Sequence, residues 1–125
     1  MIFDTDVLIW AMRGNARAAT AIDKADSLAL SVVSYMELLR GVRNRQELQA
    51  TKAVLAELNF EILPLTGNIG HRASIYLEEY ALKSNIGVPD ALIAATAVED
   101  GGMLCTANAK DYRSIAELKL SVFRP

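Results

Sequence analysis

Short apolar runs alternate along the chain with longer segments whose apolar residues recur every three or four positions. The short runs predict buried β-strands, and the longer period predicts amphipathic α-helices. Strands are predicted at 1–3, 27–31, 60–63, 103–106 and 118–123. Helices are predicted at 7–13, after Asn15, from Ser31 or Ser34 to Gly41, and at 45–58, 68–84 and 90–100, with a further helical turn between 108 and 115. Strands that alternate with helices predict an α/β fold, a mostly parallel sheet with helices on both faces.

Two of the helices have informative faces. In the helix at 45–58, the period places Leu48, Val54, Leu55 and Leu58 on the inward side. The helix at 90–100 is apolar nearly all round, which predicts that it is buried.

Length and composition indicate one domain over residues 1–125 with a generous core. The chain is 52% hydrophobic with a net charge of −2, so no global basic field indicates nucleic-acid binding. Cys105 is the single cysteine and His71 the single histidine, which excludes a disulfide framework and a Cys/His zinc cluster. We expect a cytoplasmic protein with no membrane partner, because neither a signal peptide nor a membrane-length apolar run is apparent.

Three acidic residues stand in apolar surroundings, whereas most of the 15 acidic residues lie on charged helix faces. Asp4 ends the first strand, Glu37 follows the second, and Asp90 opens the apolar helix before the fourth. Each has a local alternative as a helix-capping or dipole-favoured residue. Because the carboxyl ends of parallel strands share one edge of a sheet, we expect the three carboxylates to meet there.

Capping is undecided at two places in the sequence. Thr5 or Asp6 is predicted to cap the helix that begins at residue 7. If Ser34 caps the third helix, Glu37 completes a capping box and bonds only a backbone N–H. If Ser31 is the cap, Glu37 is free for another role.

Carboxylates gathered at one edge repel each other unless they are protonated or bind a cation. Oxygen ligands suit Mg²⁺ or Mn²⁺, and such ions activate water and neutralise charge in phosphate chemistry. Thr106 should end the fourth strand beside Asp4 and orient that carboxylate, while Asn108 and Asp111 supply further oxygens.

The order of these motifs resembles that of PIN-domain nucleases, and the chain is most similar in size to the VapC toxins of toxin–antitoxin pairs. The matching segments are Asp4-Thr5-x-Val7-Leu8-Ile9, Ser31-x₅-Glu37-Leu38-x₂-Gly41, Pro89-Asp90-x₂-Ile93-Ala94-Ala95 and Thr106-x-Asn108-x₂-Asp111-Tyr112.

The resemblance implies a Rossmann-like sheet of five strands in the order 3-2-1-4-5. It also implies an endoribonuclease that depends on Mg²⁺ or Mn²⁺, is usually a homodimer, and is held inactive by a VapB-type antitoxin. Asp4, Glu37 and Asp90 match the family's first three acids.

Two positions depart from the family pattern. Asp6 stands where Asn or Ser is common, and it adds negative charge to the site. Asn108 stands where the fourth acid is expected, so we assign that role to Asp111 with Asn108 as a neutral helper. In this interpretation Asp4 and Asp90 bind the metal directly, and Glu37 and Asp111 bind it through carboxylate or water contacts.

Local cations would have to contact RNA. The candidates are Arg40, Arg43, Arg45, Lys110 and Arg113. For any one of them, a solubilising surface charge is an equally good explanation.

Three alternatives remain open. Phe3-Asp4-Thr5-Asp6 also fits the D-x-D signature of haloacid-dehalogenase-like phosphatases, with Asp4 as nucleophile and Asp6 as acid/base. A non-catalytic PIN-like binding module and a stand-alone RNA-processing nuclease are the others.

An apolar groove is predicted beside the acids. Tyr35, Met36 and Leu39 share a helix with Glu37, and an antitoxin segment could bury an apolar helix against them.

Overall fold

One sheet organises the computed structural model, which describes all 125 residues. Its strands are β1 (Ile2–Phe3), β2 (Ala29–Ser31), β3 (Glu61–Leu63), β4 (Leu104–Thr106) and β5 (Leu120–Val122). They lie in the order β3-β2-β1-β4-β5, and every neighbouring pair is parallel. The predicted fold class and strand order are therefore confirmed, and β1 is the central strand.

Seven helices connect and cover the strands. They are α1 (Thr5–Met12), α2 (Ala16–Lys24), α3 (Val32–Gly41), α4 (Arg45–Glu57), α5 (Gly67–Tyr80), α6 (Val88–Asp100) and α7 (Ala109–Tyr112). None of them combines the length and the apolar character needed to cross a lipid bilayer.

The core has two parts, one on each face of the sheet. Ile2 belongs to a cluster of 15 buried residues that includes α5 and α6, and Phe3 belongs to a cluster of 10 that includes α1, α2 and α4. Because neighbouring residues of a strand point to opposite faces, the two residues of β1 anchor both clusters. The buried interior of α6 confirms the prediction for this helix.

The observed caps settle the open alternatives. Asp4 caps α1 by accepting a hydrogen bond from the Thr5 N–H, so the prediction that Thr5 or Asp6 caps this helix is wrong. Ser31 caps α3 by accepting from the Val33 N–H. Glu37 therefore lies in the second turn of α3 and has no capping-box role.

The inward face predicted for α4 is only partly correct. Leu55 is buried, but Val54 and Leu58 are 40% and 39% exposed, and Thr51 is buried instead. Thr51 and Leu55 are four residues apart and share the inner face, whereas Val54 and Leu58 form a neighbouring stripe that lines a groove.

One predicted helix is too long at its C-terminal end. The helix predicted to reach residue 84 ends at Tyr80 as α5. The N–H groups of Lys83 and Ser84 both donate to the Tyr80 carbonyl, which closes a turn instead of continuing the helix.

Two glycines test the backbone conformations at the end of α6 and within α5. Gly101 ends α6 with φ +72, where an alanine Cβ should cost about 1–2 kcal/mol of unfolding free energy. Gly70 lies within α5 with open space where an alanine Cβ would project, so Gly70→Ala should instead stabilise the protein by about 1 kcal/mol. Urea unfolding of both variants measures the two effects, and equal signs would contradict the assignment.

Candidate active site

Asp4 lies where the central strand ends, and it is only 6% exposed. Its Oδ1 accepts a hydrogen bond from the Thr5 N–H at 2.8 Å, and its Oδ2 accepts one from the Thr106 hydroxyl at 2.8 Å. Thr106 ends β4, the neighbouring strand, so the parallel register brings this hydroxyl to Asp4. Asp4 is thus held by one donor from a helix N-terminus and one from a strand end.

Thr5 connects Asp4 to Glu37. Its N–H donates to Asp4, and its hydroxyl donates to Glu37 Oε1 at 2.6 Å. Since α1 begins at Thr5, this residue fixes the position of Glu37 on α3 relative to the end of β1.

Asn108 and Asp111 lie on the other side of Thr106. The Asn108 N–H donates to the Thr106 hydroxyl oxygen at 2.9 Å, and the Asn108 side-chain amide donates to Asp111 Oδ2 at 2.8 Å. A series of hydrogen bonds therefore runs from Glu37 to Asp111 through Asp4. The side-chain amide of Asn108 thus contacts Asp111, and the roles of both residues at the site stay predictions.

Asp90 enters the site from the first turn of α6. Its Oδ1 accepts a hydrogen bond from the Tyr112 hydroxyl at 3.2 Å, and the same hydroxyl also acts on Asp4, whose pKa it lowers. Sequence reasoning assigned no role to Tyr112, because an aromatic residue in a short helix is usually part of the core.

Asp6 contributes more than a nearby charge. Its Oδ2 accepts a hydrogen bond from the Ala107 N–H at 3.1 Å, whereas its Oδ1 is buried without a hydrogen-bond partner. A buried carboxylate oxygen without a partner is costly. The second acid in Asp4-Thr5-Asp6 indicates a concentration of negative charge. The sequence does not show that Asp6 Oδ1 points into the protein.

The electrostatics of the site favour bound cations. Burial, and then the charge of Asp6, raise the pKa of Asp4 from 3.8 to about 7, against the hydrogen bonds from Thr106, Thr5 and Tyr112. Burial also raises the pKa of Asp6, and Asp90 adds to this effect. Three acids, Asp4, Asp6 and Asp90, therefore share one region of negative potential.

The carboxylate oxygens in this region are suitable ligands for Mg²⁺ or Mn²⁺. No three acidic, histidine or cysteine side chains form a ready-made metal cage. Both oxygens of Asp4 and one of Asp6 accept hydrogen bonds from the protein. The side-chain atoms that could bind an ion are nevertheless all oxygens, and Asp6 Oδ1 is buried without a hydrogen-bond partner. A divalent cation would supply the missing partner and offset the repulsion.

The candidate RNA-contacting residues are all on the surface. Arg43 forms a salt bridge with Glu47 at 2.8 Å while its side chain remains 84% exposed. The other four cations are exposed at residues 40, 45, 110 and 113. Their role in RNA binding stays a prediction.

A groove of about 910 Å³ opens beside Glu37. Its walls come from α1, α2, α3 and α4, and its apolar lining includes Ile9, Met12, Val54 and Leu58. An apolar groove therefore exists next to the acids, but not where it was predicted.

The predicted lining of the groove is wrong. Tyr35, Met36 and Leu39 do not line it, because α3 turns Glu37 and Leu38 toward the groove instead. Tyr35 packs on the core cluster, and Met36 is 56% exposed to solvent.

Comparison with known proteins defines the class. The family model for the PIN domain matches residues 1–118. Ribonuclease VapC10 of Mycobacterium tuberculosis is 33% identical over 123 residues, covering 95% of this chain and 90% of the relative. The chain belongs to the PIN-domain family. A second relative, Ribonuclease VapC of Rickettsia bellii, is 29% identical over 126 residues, covering 96% of this chain and 93% of the relative.

Solved structures agree with this assignment. A toxin–antitoxin complex from Klebsiella pneumoniae contains a chain that is 30% identical with a TM-score of 0.80, covering 94% of this chain and 93% of that one. VapBC2 from Rickettsia felis, bound to a promoter DNA fragment, matches with a TM-score of 0.82 at 22% identity, over 99% of this chain and 100% of that one. The second match supports the fold alone.

The raised pKa of Asp4 predicts a pH dependence of stability in EDTA. Between about pH 4 and pH 7 native Asp4 holds a proton that the unfolded chain releases, so this group lowers the unfolding free energy as pH rises. The difference in unfolding free energy, Asp4→Asn minus wild type, should therefore increase by up to roughly 4 kcal/mol over this range. Urea unfolding at several pH values measures it.

Asp100→Asn is the matched control, because Asp100 is exposed at the end of α6. The unfolding free energy of Asp100→Asn should differ little from that of the wild type, and this difference should not grow between pH 4 and pH 7. A parallel pH course for Asp4→Asn and the wild type would contradict the buried-acid assignment.

Proposed function

We propose that this protein is a divalent-metal-dependent endoribonuclease and the toxin of a toxin–antitoxin pair. The observation that carries the proposal is the meeting of Asp4, Asp6 and Asp90 at the carboxyl edge of the sheet, with Asp4 buried. Like charges in a buried region have a functional explanation if they bind a cation. The relatives named as VapC ribonucleases support the choice of RNA as substrate.

The ion would be Mg²⁺ or Mn²⁺. Asp4 and Asp90 would bind it directly, Asp6 Oδ1 would be a further ligand, and Glu37 and Asp111 would contact it through carboxylate or water. When bound, such an ion lowers the pKa of water and neutralises charge on phosphoryl oxygens.

The protein side chains have separate tasks in this reaction. Thr5 and Thr106 keep the carboxylate of Asp4 oriented through their hydrogen bonds. Glu37, which is exposed and held by the Thr5 hydroxyl, accepts a proton from the attacking water. No protein side chain becomes covalently attached to the substrate.

Individual cationic side chains on the surface bind the RNA, because a chain with a net charge of −2 has no overall positive field to attract it. Arg40, Arg43, Arg45, Lys110 and Arg113 contact the phosphate backbone in our proposal. Contacts to phosphate position the strand without reading its sequence.

The partner in this proposal is a VapB-type antitoxin, and the protein itself is a homodimer. The complex from Klebsiella pneumoniae, which contains a toxin and its antitoxin, supports a partner of this kind. An apolar antitoxin segment would fill the groove between α1, α2, α3 and α4, and a basic side chain from it would reach Glu37 at the groove's edge.

Two observations argue against the alternatives. A haloacid-dehalogenase-like mechanism also uses a later pair of acids, and Val88-Pro89-Asp90-Ala91 supplies no such pair. Membership of the PIN-domain family argues the same way. A non-catalytic module would bear the cost of buried like charges without a use for them.

Removal of either central acid should abolish RNA cleavage. Asp4→Asn and Asp90→Asn should each lower the Mg²⁺-dependent rate by about 100-fold or more, because each removes a metal ligand. Fragment analysis of a structured RNA pool with Mg²⁺ measures this rate.

Asp100→Asn, at the other end of α6, is the control for Asp90→Asn and should cleave at the wild-type rate. Full activity of Asp4→Asn would contradict the metal-site assignment. Hydrolysis of a phosphomonoester in the same samples, without RNA cleavage, would instead support the phosphatase.

A charge in the groove should prevent antitoxin binding. Val54 lines the groove and is 40% exposed, so Val54→Asp should weaken the complex with a co-expressed VapB-type antitoxin by at least about 10-fold. Met103 is also 40% exposed but precedes β4 and does not line the groove, so Met103→Asp should bind normally. Calorimetry measures both affinities, and equal affinities would exclude the groove as the binding site.

A further inference from the structure

Tyr112 occupies an unusual position between the core and the acids. Its side chain is completely buried in the larger core cluster. Only its hydroxyl reaches the site, where it donates to Asp90 Oδ1 at 3.2 Å. Because core packing fixes the ring, the location of the hydroxyl is determined by the fold rather than by a flexible loop.

This hydrogen bond is the one side-chain contact that holds the carboxylate of Asp90. Gly87, the N-cap residue of α6, has no side chain with which to order the first turn. Asp4, in contrast, is already held by Thr5 and Thr106. Without the Tyr112 hydroxyl, Asp90 would be free to rotate away from the site, because the charge of Asp6 repels it.

A phenol hydroxyl suits this task better than a cation would. A lysine or arginine at the same place would neutralise Asp90 and compete with a metal ion. The neutral phenol orients the carboxylate through one hydrogen bond and leaves its negative charge available.

We propose that Tyr112 is a positioning residue whose hydroxyl holds Asp90 in the orientation in which it shares one divalent cation with Asp4. The inference rests on the metal-dependent nuclease proposed above. Hydrogen-bond partners of metal-binding carboxylates typically contribute about 10–100-fold to metal affinity. Tyr112 should therefore act on metal binding and not on contact with RNA.

Tyr112→Phe tests the inference, because it keeps the ring and removes only the hydroxyl. The Mg²⁺ concentration that gives half of the maximal rise in melting temperature should increase by about 10-fold or more. The half-saturating Mg²⁺ concentration for RNA cleavage should increase by the same factor, while kcat at saturating Mg²⁺ and the KM for RNA should remain close to the wild-type values.

Tyr76→Phe is the matched control. Tyr76 is also a buried tyrosine whose hydroxyl donates to a carboxylate, that of Glu117, but this pair lies with Arg72 and Glu99 outside the site. Its loss should lower the melting temperature without changing the half-saturating Mg²⁺ concentration.

A double variant shows whether Tyr112 acts through Asp90. In EDTA, Tyr112→Phe should lower the melting temperature more in the wild type than in Asp90→Ala, which has no oxygen to accept from the Tyr112 hydroxyl. Independent, additive changes in the two backgrounds would overturn the inference, and this measurement needs neither metal nor activity.

The outcomes distinguish this inference from the proposed function. A wild type that responds to Mg²⁺, with Tyr112→Phe responding at the same concentration, overturns the role of Tyr112 alone. A wild type that shows neither a Mg²⁺-dependent rise in melting temperature nor RNA cleavage overturns the proposed function itself.

Discussion

The burial of one carboxylate at the end of the central strand is the constraint on which the rest of the site depends. Asp4 ends β1, and β1 is flanked on both sides by other parallel strands. A carboxylate at this place must find donors within the protein, and it takes them from the first turn of α1 and the last residue of β4. The residue that would bind a metal is thus also the residue that begins the first helix. Its chemistry and its structural role cannot be separated.

Several side chains near Asp4 serve two neighbours at once. Thr5 donates through its N–H to Asp4 and through its hydroxyl to Glu37, and Thr106 donates to Asp4 while accepting from Asn108. Hydrogen bonds linked in this way orient several acids together, although the acids come from distant parts of the chain. The cost of bringing like charges together is thereby distributed over many backbone and hydroxyl donors, rather than offset by an arginine or lysine within the site.

The sequence was sufficient to predict the fold class and to single out Asp4 and Asp90, but it did not predict how side chains are oriented. Apolar periodicity predicts the parallel α/β sheet, and the resemblance to PIN-domain nucleases implies its strand order. The meeting of Asp4 and Asp90 was predicted because strand ends in a parallel sheet share an edge. The cap of α1 was placed at Thr5 or Asp6 because the helix was expected to begin at residue 7, whereas α1 begins at Thr5 and Asp4 is its cap. The exposure of Val54 and Leu58 was missed because a helical period cannot distinguish a core from an open groove. The role of the Tyr112 hydroxyl depends on a packed ring, and that packing is a property of the whole core.

The shortness of β1 has a consequence for how the site tolerates change in chain length. The strand contributes one residue to each face of the sheet, Ile2 to one cluster and Phe3 to the other. In a two-residue strand no further residues exist to restore the alternation after an insertion or deletion. Loss of a single residue between Ile2 and Asp4 would invert the faces and direct the carboxylate away from Thr106. The shortest strand of the sheet is therefore the least tolerant of a shift in register.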